Sequence, residues 1–324
     1  MPLGSWWLLS AIALSALVTA GARQYALRRN LLDHPGERRS HVVATPRGGG
    51  IAIVTVLLLA CAVAAFIWPD LALYPGIFAL GLVMVAGIGW WDDHRPLPAF
   101  TRLAVHAAAS LLLAWLAWRA GAGLVHVVLV ALFAVSLVNI WNFMDGINGL
   151  AVTQAILVAV AMALLLPPAL GWAGWVLAAA CVGFLPFNFP KARIFLGDVG
   201  SGALGYALAA LVALSSVTTS VSWMLLVVPM TAFLVDAGFT LLSRILAGER
   251  WMEAHRQHLY QRLVQAGASH GAVTLWYSAF TVFGITLAAI IEAQPVNSTV
   301  AAMGGIAWIA LAIVLWWFAR RNIH

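Results

Sequence analysis

The chain has 324 residues, of which 63% are hydrophobic and only 9% are charged, and its mean hydropathy is +0.96. A soluble globular domain carries far more charge, so this composition excludes one and indicates an integral membrane protein. The formal net charge of +6 is accounted for by membrane topology and requires no nucleic-acid partner.

Eleven apolar runs follow one another along the chain, each long enough to cross roughly 30 Å of hydrocarbon as a helix. They cover residues 3–22, 49–68, 71–91, 102–118, 124–143, 149–166, 172–189, 201–218, 221–243, 272–292 and 299–319. The polar stretches between them are too short to form a separate soluble domain. We therefore predict an all-α polytopic membrane bundle of about 11 transmembrane helices, which forms a single domain over residues 1–324.

The basic residues predict how this bundle is oriented. All 17 Lys and Arg residues except Arg119 lie in or beside loops that follow odd-numbered runs. Cytoplasmic loops of membrane proteins carry an excess of Lys and Arg. We therefore expect the odd-numbered loops in the cytoplasm, the N-terminus outside and the C-terminus inside.

Five polar segments lie on this predicted cytoplasmic face, whereas the external loops carry few polar side chains. The segments are residues 33–50, 92–102, 142–150, 188–202 and 248–263. Because they share one face, we expect them to converge on a single cytoplasmic site.

The first carboxylates along the chain that stand out are Asp92 and Asp93, at the end of the third run. They are either an ordinary helix-end pair solvated by headgroup water or part of a charged site. Adjacent like charges repel, and a divalent metal or a cationic cluster would relieve that cost.

Two glycine-rich segments carry further carboxylates. Asp145 and Asn148 are spaced i,i+3 in DGING, which is either a simple turn between helices or a pocket with two oxygens directed inward. GDVGSG, which contains Asp198 and Ser201, precedes the eighth run, so the first amides of that helix predict an anion site. A simple N-cap role for Asp198 is the alternative.

Basic and imidazole side chains mark two more candidate anion surfaces. His255 and His258 are spaced i,i+3, and we expect Arg262 one turn further on the same helical face. Without a third nearby ligand, this pair favours a phosphate over zinc. In the first loop, Arg38, Ser40, His41 and Arg47 precede three glycines, although topology alone also requires basic residues there.

Asp236 differs from the other acids because it lies well inside the ninth run. Buried acids in a membrane are costly and are usually functional or paired. Asp236, Thr240 and Arg244 share one helical face, so an internal hydrogen-bonded support is favoured over direct catalysis.

With these residues identified, the chain resembles the polyprenyl-phosphate N-acetylhexosamine-1-phosphate transferases (glycosyltransferase family 4), a membrane superfamily that includes phospho-N-acetylmuramoyl-pentapeptide transferase. The resemblance covers nearly the whole chain and rests on motifs in family order. They are RRSH and TPRGGG, WWDD followed by Arg102, NxxNFMDGING, FNFPKARIFLGDVGS, VPM with Asp236, and HRQH.

This resemblance implies transfer of an N-acetylated sugar-1-phosphate from a UDP-sugar to undecaprenyl phosphate, giving undecaprenyl-diphospho-sugar and UMP. It implies a bacterial inner-membrane protein among membrane lipids, with its active site facing the cytoplasm, that initiates a cell-envelope glycan such as O-antigen. Mg²⁺ is the expected cofactor and Mn²⁺ the alternative; a homodimer is left open. Direct attack by the lipid phosphate is favoured over a covalent aspartyl intermediate, because a phosphomonoester is mostly a dianion at neutral pH.

The same motifs imply roles for individual residues. The catalytic residues are expected at Asp92, Asp93, Asp145 and His258. Metal binding is expected at Asp198, and at Asn148, where many members carry a second Asp but an amide oxygen is still available. The expected substrate-binding residues are His41, Arg47, Arg102, Asn142, Asn188, His255 and Arg256. Many members also have histidines where this chain has Tyr260 and Gln261, which leaves the sugar open.

Two other classes of membrane protein remain as alternatives. Intramembrane prenyltransferases also use aspartates and Mg²⁺, but they normally show paired DxxxD or DxxD motifs, which this chain lacks. A non-enzymatic lipid-linked transporter would be expected to carry ionisable residues near mid-membrane and often an internal repeat. Asp236 is the only acid well inside a run.

Overall fold

The computed structural model describes residues 6–34, 43–250, 253, 255–295 and 297–323. The helices are α1 (Trp6–Arg28), α2 (Ile51–Ile67), α3 (Leu73–His94), α4 (Ala99–Arg119), α5 (Leu124–Phe143), α6 (Leu150–Leu165), α7 (Pro168–Asn188), α8 (Asp198–Thr218), α9 (Trp223–Val227), α10 (Thr231–Leu246), α11 (Leu259–Gln265), α12 (His270–Glu292) and α13 (Ser298–Asn322).

The predicted all-α membrane class is confirmed. Nine helical stretches within the described residues are long and apolar enough to cross a membrane. The second and sixth predicted runs form α2 and α6, which have 17 and 16 residues. At 1.5 Å per residue these two helices are only about 25 Å long. The number of membrane crossings and the sides on which the two termini lie stay predictions.

The ninth predicted run is interrupted rather than continuous. It forms α9, a 3₁₀ turn at Val228–Met230 and α10. Pro229 lies in this turn, where its missing N–H and its ring are incompatible with a regular α-helix interior. The break is followed by the segment of α10 that carries Asp236.

Two short strands close the first polar segment. β1 (Leu32–Asp33) pairs antiparallel with β2 (Thr45–Pro46). Residues 35–42, and with them the predicted anion-binding residues Arg38, Ser40 and His41, lie outside the described residues. The chain leaves β2 directly into the three glycines at 48–50.

α8 lies at the centre of the bundle, where it packs against α3 and α5 and is buried along most of its length. Its first turn is also held against the glycine segment before α2. A Cβ on Gly50 would lie 2.2 Å from Cα of Gly200, so only glycine permits this approach. This packing places Asp198, the first residue of α8, beside the last turn of α3.

Candidate active site

Asp93 binds the N-terminus of α8. Its two carboxylate oxygens accept the N–H groups of Asp198, at 3.1 Å, and of Val199, at 3.2 Å. Asp93 is buried, and Arg47 Nε lies 4.0 Å from its Oδ1. The predicted anion site at this helix start therefore exists, but the anion that fills it is a side chain of the protein, not the substrate.

The neighbouring carboxylate, Asp92, faces a different environment. Its Oδ1 accepts the N–H of Leu97 at 2.7 Å. Nη1 of Arg102 donates to Oδ2 of Asp92, at 3.0 Å, and to Oδ2 of Asp198, at 2.6 Å. All three side chains keep part of their surface accessible, between 15% and 29%. A reactant can thus approach Asp92, Arg102 and Asp198, which together we call the carboxylate–arginine cluster.

Asp145 lies near this cluster, in the turn between α5 and α6. Its pKa is raised well above the ordinary value, first because of burial and then because of the negative charges of Asp198 and Asp93. At the end of α5, Nδ2 of Asn142 donates to Oγ of Ser201 in the first turn of α8, at 3.0 Å. The structure therefore brings the polar segments 92–102, 142–150 and 188–202 together.

Two main-chain hydrogen bonds attach the glycine segment to this assembly. The N–H groups of Gly49 and Gly50 donate to the carbonyls of Phe195, at 2.9 Å, and Leu196, at 2.8 Å. Gly197 follows with a φ of +75°, and a Cβ there would lie 2.5 Å from Oδ2 of Asp93. Glycine at 197 is therefore required both by its backbone conformation and by the buried carboxylate beside it.

Asn188 and Asn148 make contacts outside the carboxylate–arginine cluster. Asn188 is buried; its Oδ1 accepts the N–H of Gly149 at 2.8 Å and its Nδ2 donates to Ile194 O at 3.1 Å. Nδ2 of Asn148 donates to Pro190 O at 3.2 Å. Both amides hold the DGING turn against the segment that follows α7.

The fold corrects the expected helical arrangement of the HRQH segment. Residues 255–257 are not helical, and His258 is the N-cap of α11. The rings of His255 and His258 still lie close, with centroids 4.8 Å apart. Arg262 does not share their face, because its Nη2 donates to Ile323 O near the end of α13, at 3.1 Å. Arg256 is half-buried, and its carbonyl accepts from the side chain of Gln265.

The surroundings of both histidines favour the neutral ring. The pKa of His255 is lowered to about 4, mainly by burial and then by the positive charges of His258 and Arg244. Burial is also the main cause that lowers the pKa of His258. The His258 ring stacks near Phe143, the last residue of α5, with centroids 6.2 Å apart. The HRQH segment thus lies beside the turn that carries Asp145.

A divalent cation fits part of this donor set. The described residues contain no group of three or more His, Cys, Asp or Glu side chains arranged to hold a metal. Mg²⁺ bound jointly with substrate phosphates needs only one or two protein carboxylates. Asp92 and Asp198 meet this requirement, since one cationic nitrogen of Arg102 already lies within 3.0 Å of both. Asn148, whose Nδ2 binds Pro190 O, stays a proposed ligand through its amide oxygen.

An apolar cavity of about 390 Å³ lies between α2, α3, α4, α7 and α8, well away from the carboxylates. Its lining on α8 begins at Ala207, nine residues after Asp198, which corresponds to about 13 Å along a helix. The cavity therefore does not belong to the polar site.

Three pairings at this site are not indicated by the sequence, which favours a supporting role for Asp236 but does not show its partner. Ser201 stands out in the sequence only as part of a glycine-rich segment, but it binds Asn142. Tyr260 stands out only as a departure from the family, but its hydroxyl donates to Phe143 O at 2.9 Å. Asp236 accepts the backbone N–H of Leu259 at the start of α11. None of these pairings across distant segments leaves a periodic signal in the sequence.

Comparison with known proteins shows which family the chain resembles. The family model described as Glycosyl transferase family 4 matches residues 75–216. Decaprenyl-phosphate N-acetylglucosaminephosphotransferase of Mycobacterium leprae is 30% identical to the chain, over 97% of this chain and 90% of the relative. A probable undecaprenyl-phosphate N-acetylglucosaminyl 1-phosphate transferase of Bacillus subtilis is 25% identical, over 78% and 75%. Phospho-N-acetylmuramoyl-pentapeptide-transferase of Thermosynechococcus vestitus is 32% identical, over 51% and 50%.

The bundle, its cluster of carboxylates and these matches define a multi-pass membrane enzyme that transfers a sugar phosphate. The chain belongs to glycosyl transferase family 4, the polyprenyl-phosphate N-acetylhexosamine-1-phosphate transferases. Membership of this family decides against the prenyltransferase and transporter alternatives.

Proposed function

We propose that this protein transfers an N-acetylated sugar-1-phosphate from a UDP-sugar to undecaprenyl phosphate, giving undecaprenyl-diphospho-sugar and UMP. The observation that supports this most strongly is the meeting of Asp92, Asp198 and Arg102 at the end of an apolar helical bundle. Such a bundle can receive a prenyl chain from the side while its phosphate stays at the interface. The polar cluster then meets both phosphorylated reactants.

In the proposed reaction, an oxygen of the lipid phosphate attacks the phosphorus that carries the sugar. A new oxygen–phosphorus bond forms, the bond to the bridging oxygen of the diphosphate breaks, and UMP leaves with that electron pair. Most of the lipid phosphate is a dianion at neutral pH, because the second pKa of a phosphomonoester is about 6. A strong general base is therefore not required, and catalysis depends on positioning and charge stabilisation.

The residues of the site have different roles in this reaction. Arg102 binds phosphate oxygens, because a guanidinium presents several N–H donors in a fixed plane. Asp92 orients the lipid phosphate and accepts any residual proton, since it is accessible and bound to Arg102. Asp93 keeps the first turn of α8 in place through two backbone N–H groups. Asp198 is thereby aimed at the reactants.

Mg²⁺ held by Asp198 and Asp92 would neutralise the diphosphate and the charge that develops on the leaving UMP; Mn²⁺ is the alternative. The neutral rings of His255 and His258 offer hydrogen bonds to the nucleotide rather than a fixed positive charge. Arg47 and Arg256 add positive charge on the same side as these histidines. Asn142 and Asn188 act by holding the loops on which the reactants rest.

The proposed setting is the bacterial inner membrane, with the site on the cytoplasmic side and the chain acting as one polytopic domain. The relatives come from bacteria, and their names describe polyprenyl-phosphate acceptors and an N-acetylglucosamine phosphate group. The positive-inside distribution supports the cytoplasmic orientation. A product of this kind would serve as the first lipid-linked intermediate of an envelope glycan such as O-antigen.

The test is an assay of UMP release by detergent-purified protein with undecaprenyl phosphate, Mg²⁺ and one UDP-N-acetyl sugar at a time. We expect UMP with at least one donor and none when the lipid phosphate is omitted. A single turnover of UMP without lipid would instead indicate a covalent aspartyl intermediate. Absence of UMP with every donor, from protein shown to be folded, would contradict the proposal.

A further inference from the structure

The start of α11 is fixed by a buried carboxylate. Asp236, which is 1% exposed, accepts the N–H groups of Leu259, at 2.7 Å, and Tyr260, at 3.4 Å. It also accepts from Tyr277 Oη on α12, at 2.8 Å, and from Trp316 Nε1 on α13, at 3.1 Å. The backbone of Tyr260 is thus anchored to three other helices.

The side chain of Tyr260 extends from this anchor to the turn that carries Asp145. Its Oη donates to the carbonyl of Phe143, at 2.9 Å, two residues before Asp145. A carbonyl in the last turn of a helix has no partner within that helix, so this bond satisfies a free acceptor at the end of α5. Tyr260 is 1% exposed, so its hydroxyl reaches this carbonyl from inside the protein.

Gly146 shows how closely the two segments are packed. A Cβ at position 146 would lie 2.1 Å from Oη of Tyr260 and 3.0 Å from its ring. The phenol hydroxyl therefore occupies the space directly over the Asp145 turn. Burial, and the negative charges of Asp236 and Asp145, raise the pKa of Tyr260, so its hydroxyl stays a donor at all working pH values.

From these contacts we infer that Tyr260 is a positioning residue, which fixes the Asp145 turn relative to the HRQH segment. The inference rests on the proposed function, because Asp145, an expected catalytic residue, affects turnover only if the chain is that transferase. It goes further by giving a role to a residue at which this chain departs from the histidines found in many members of the family. Tyr260 acts through Phe143 and Asp145 and does not touch the reactants.

The first test is Tyr260→Phe, which removes the hydroxyl and keeps the ring. Because a small displacement of a catalytic group is costly, we expect kcat to fall about tenfold or more, with KM for the UDP-sugar unchanged. Thr281→Val is the matched control. It also removes one buried side-chain hydrogen bond, from Thr281 Oγ1 to Gln154 Oε1 at 2.7 Å between α12 and α6. It should lower the melting temperature similarly and keep kcat.

A second readout does not depend on turnover. Hydrogen exchange, followed by mass spectrometry on peptides covering residues 143–149, should be faster in Tyr260→Phe than in the wild type and in Thr281→Val. Unchanged exchange at this turn would overturn the inference even if the wild type proved inactive with every donor. An inactive wild type with faster exchange in the variant would instead contradict the proposed function alone.

A double-mutant cycle keeps the test decisive if Tyr260→Phe is poorly stable. Gly146→Ala should be damaging in the wild-type background, because the new Cβ would collide with Oη of Tyr260. In the Tyr260→Phe background the hydroxyl is gone and the nearest ring atoms lie at 3.0 Å from the new Cβ. Gly146→Ala should therefore reduce exchange protection and kcat several-fold less in this background than in the wild type. Additive effects of the two substitutions would contradict direct packing of Tyr260 on the turn.

Discussion

Asp93 and Asp236 are both buried carboxylates that accept backbone N–H groups from the first turn of a helix, yet their surroundings differ. Asp236 receives five hydrogen bonds, from Leu259, Tyr260, Tyr277, Trp316 and Thr240. A carboxylate has about four lone-pair sites, so Asp236 has no capacity left for a ligand. Asp93 receives two such bonds, and the other carboxylates of the site lie beside it.

This difference distinguishes a carboxylate that only supports the fold, Asp236, from the group of carboxylates around Asp93, which can take part in the reaction. Around Asp236 the carboxylate is fully hydrogen-bonded inside the protein, which lowers the free energy of the fold and leaves no site for a reactant. Around Asp93, the side chains of Asp92 and Asp198 keep accessible surface and share one arginine nitrogen. An excess of negative charge that the protein does not fully neutralise is a place where a cation and phosphorylated reactants can be bound together.

The largest effect is expected for Asp198→Ala. The side chain lies in the carboxylate–arginine cluster, whereas its backbone N–H binds Asp93 and survives the substitution. We expect kcat to fall by about a thousandfold or more, with little change in the melting temperature. UMP release and thermal unfolding in detergent measure the two quantities. Wild-type turnover in this variant would contradict the proposed metal role.

Substitutions at Asp92 and Asp93 should have the next largest effects, and the two should differ in their effect on stability. Asp92→Asn should lower kcat by about a hundredfold and leave stability unchanged, because Asp92 faces the reactants. Asp93→Asn should also destabilise the protein, by about 1–3 kcal/mol, because an amide can accept only one of the two N–H groups. Unfolding by denaturant distinguishes the variants. Equal loss of stability at both positions would break the assigned difference.

Asp236→Asn should act mainly on stability. The substitution leaves one of the buried donors without an acceptor and removes the charge that the others bind. We therefore expect the free energy of unfolding to fall by about 3 kcal/mol. Activity of the protein that remains folded should fall only a few-fold, since the hydrogen bonds of Asp236 involve no residue of the carboxylate–arginine cluster. A variant with native stability but abolished turnover would show that Asp236 takes part in the chemistry.

The smallest expected effect concerns pH and Asp145. Because the folded state raises its pKa, the protonated form is favoured, and its contribution to stability is present below the unfolded value of about 4. That contribution is lost as pH rises through the raised pKa. Relative to the wild type, Asp145→Asn should therefore have a melting temperature a few degrees higher at neutral pH, and this gain should disappear at acidic pH. Its turnover should fall. A parallel pH dependence in both proteins would argue against the shifted pKa.

The helical class, the order of the apolar runs and the grouping of polar segments could be predicted from the sequence, because bilayer burial leaves long and unmistakable patterns. The break at Pro229 could not be predicted, because a single proline does not interrupt the apolar pattern from which a membrane span is predicted. The placement of Arg262 was wrong, because the expected helix begins only at Leu259. Local spacing cannot show where a helix starts when the start is fixed by Asp236, far away along the chain.

The carboxylates of the site also show that local spacing does not reveal the partners of a side chain. Adjacency marked Asp92 and Asp93 as a pair, but neighbouring helical residues point about 100° apart, so one reaches Arg102 and the other the amides of α8. GDVGSG predicts an anion site at the start of α8, and a carboxylate of the protein lies there. Its identity as Asp93 depends on the packing of α3 against α8, which no motif encodes.

The central claim is that segments distant in sequence meet at one site, and cysteine cross-linking in native membranes tests it most directly. In a chain with Cys61 and Cys181 replaced by alanine, Asp92→Cys and Asp198→Cys would be combined and treated with a short bifunctional thiol reagent. We expect an efficient intramolecular cross-link, as for Asn142→Cys with Ser201→Cys, whose side chains lie 3.0 Å apart. No cross-link, or one no better than for Asp92→Cys with Thr218→Cys at the far end of α8, would contradict it.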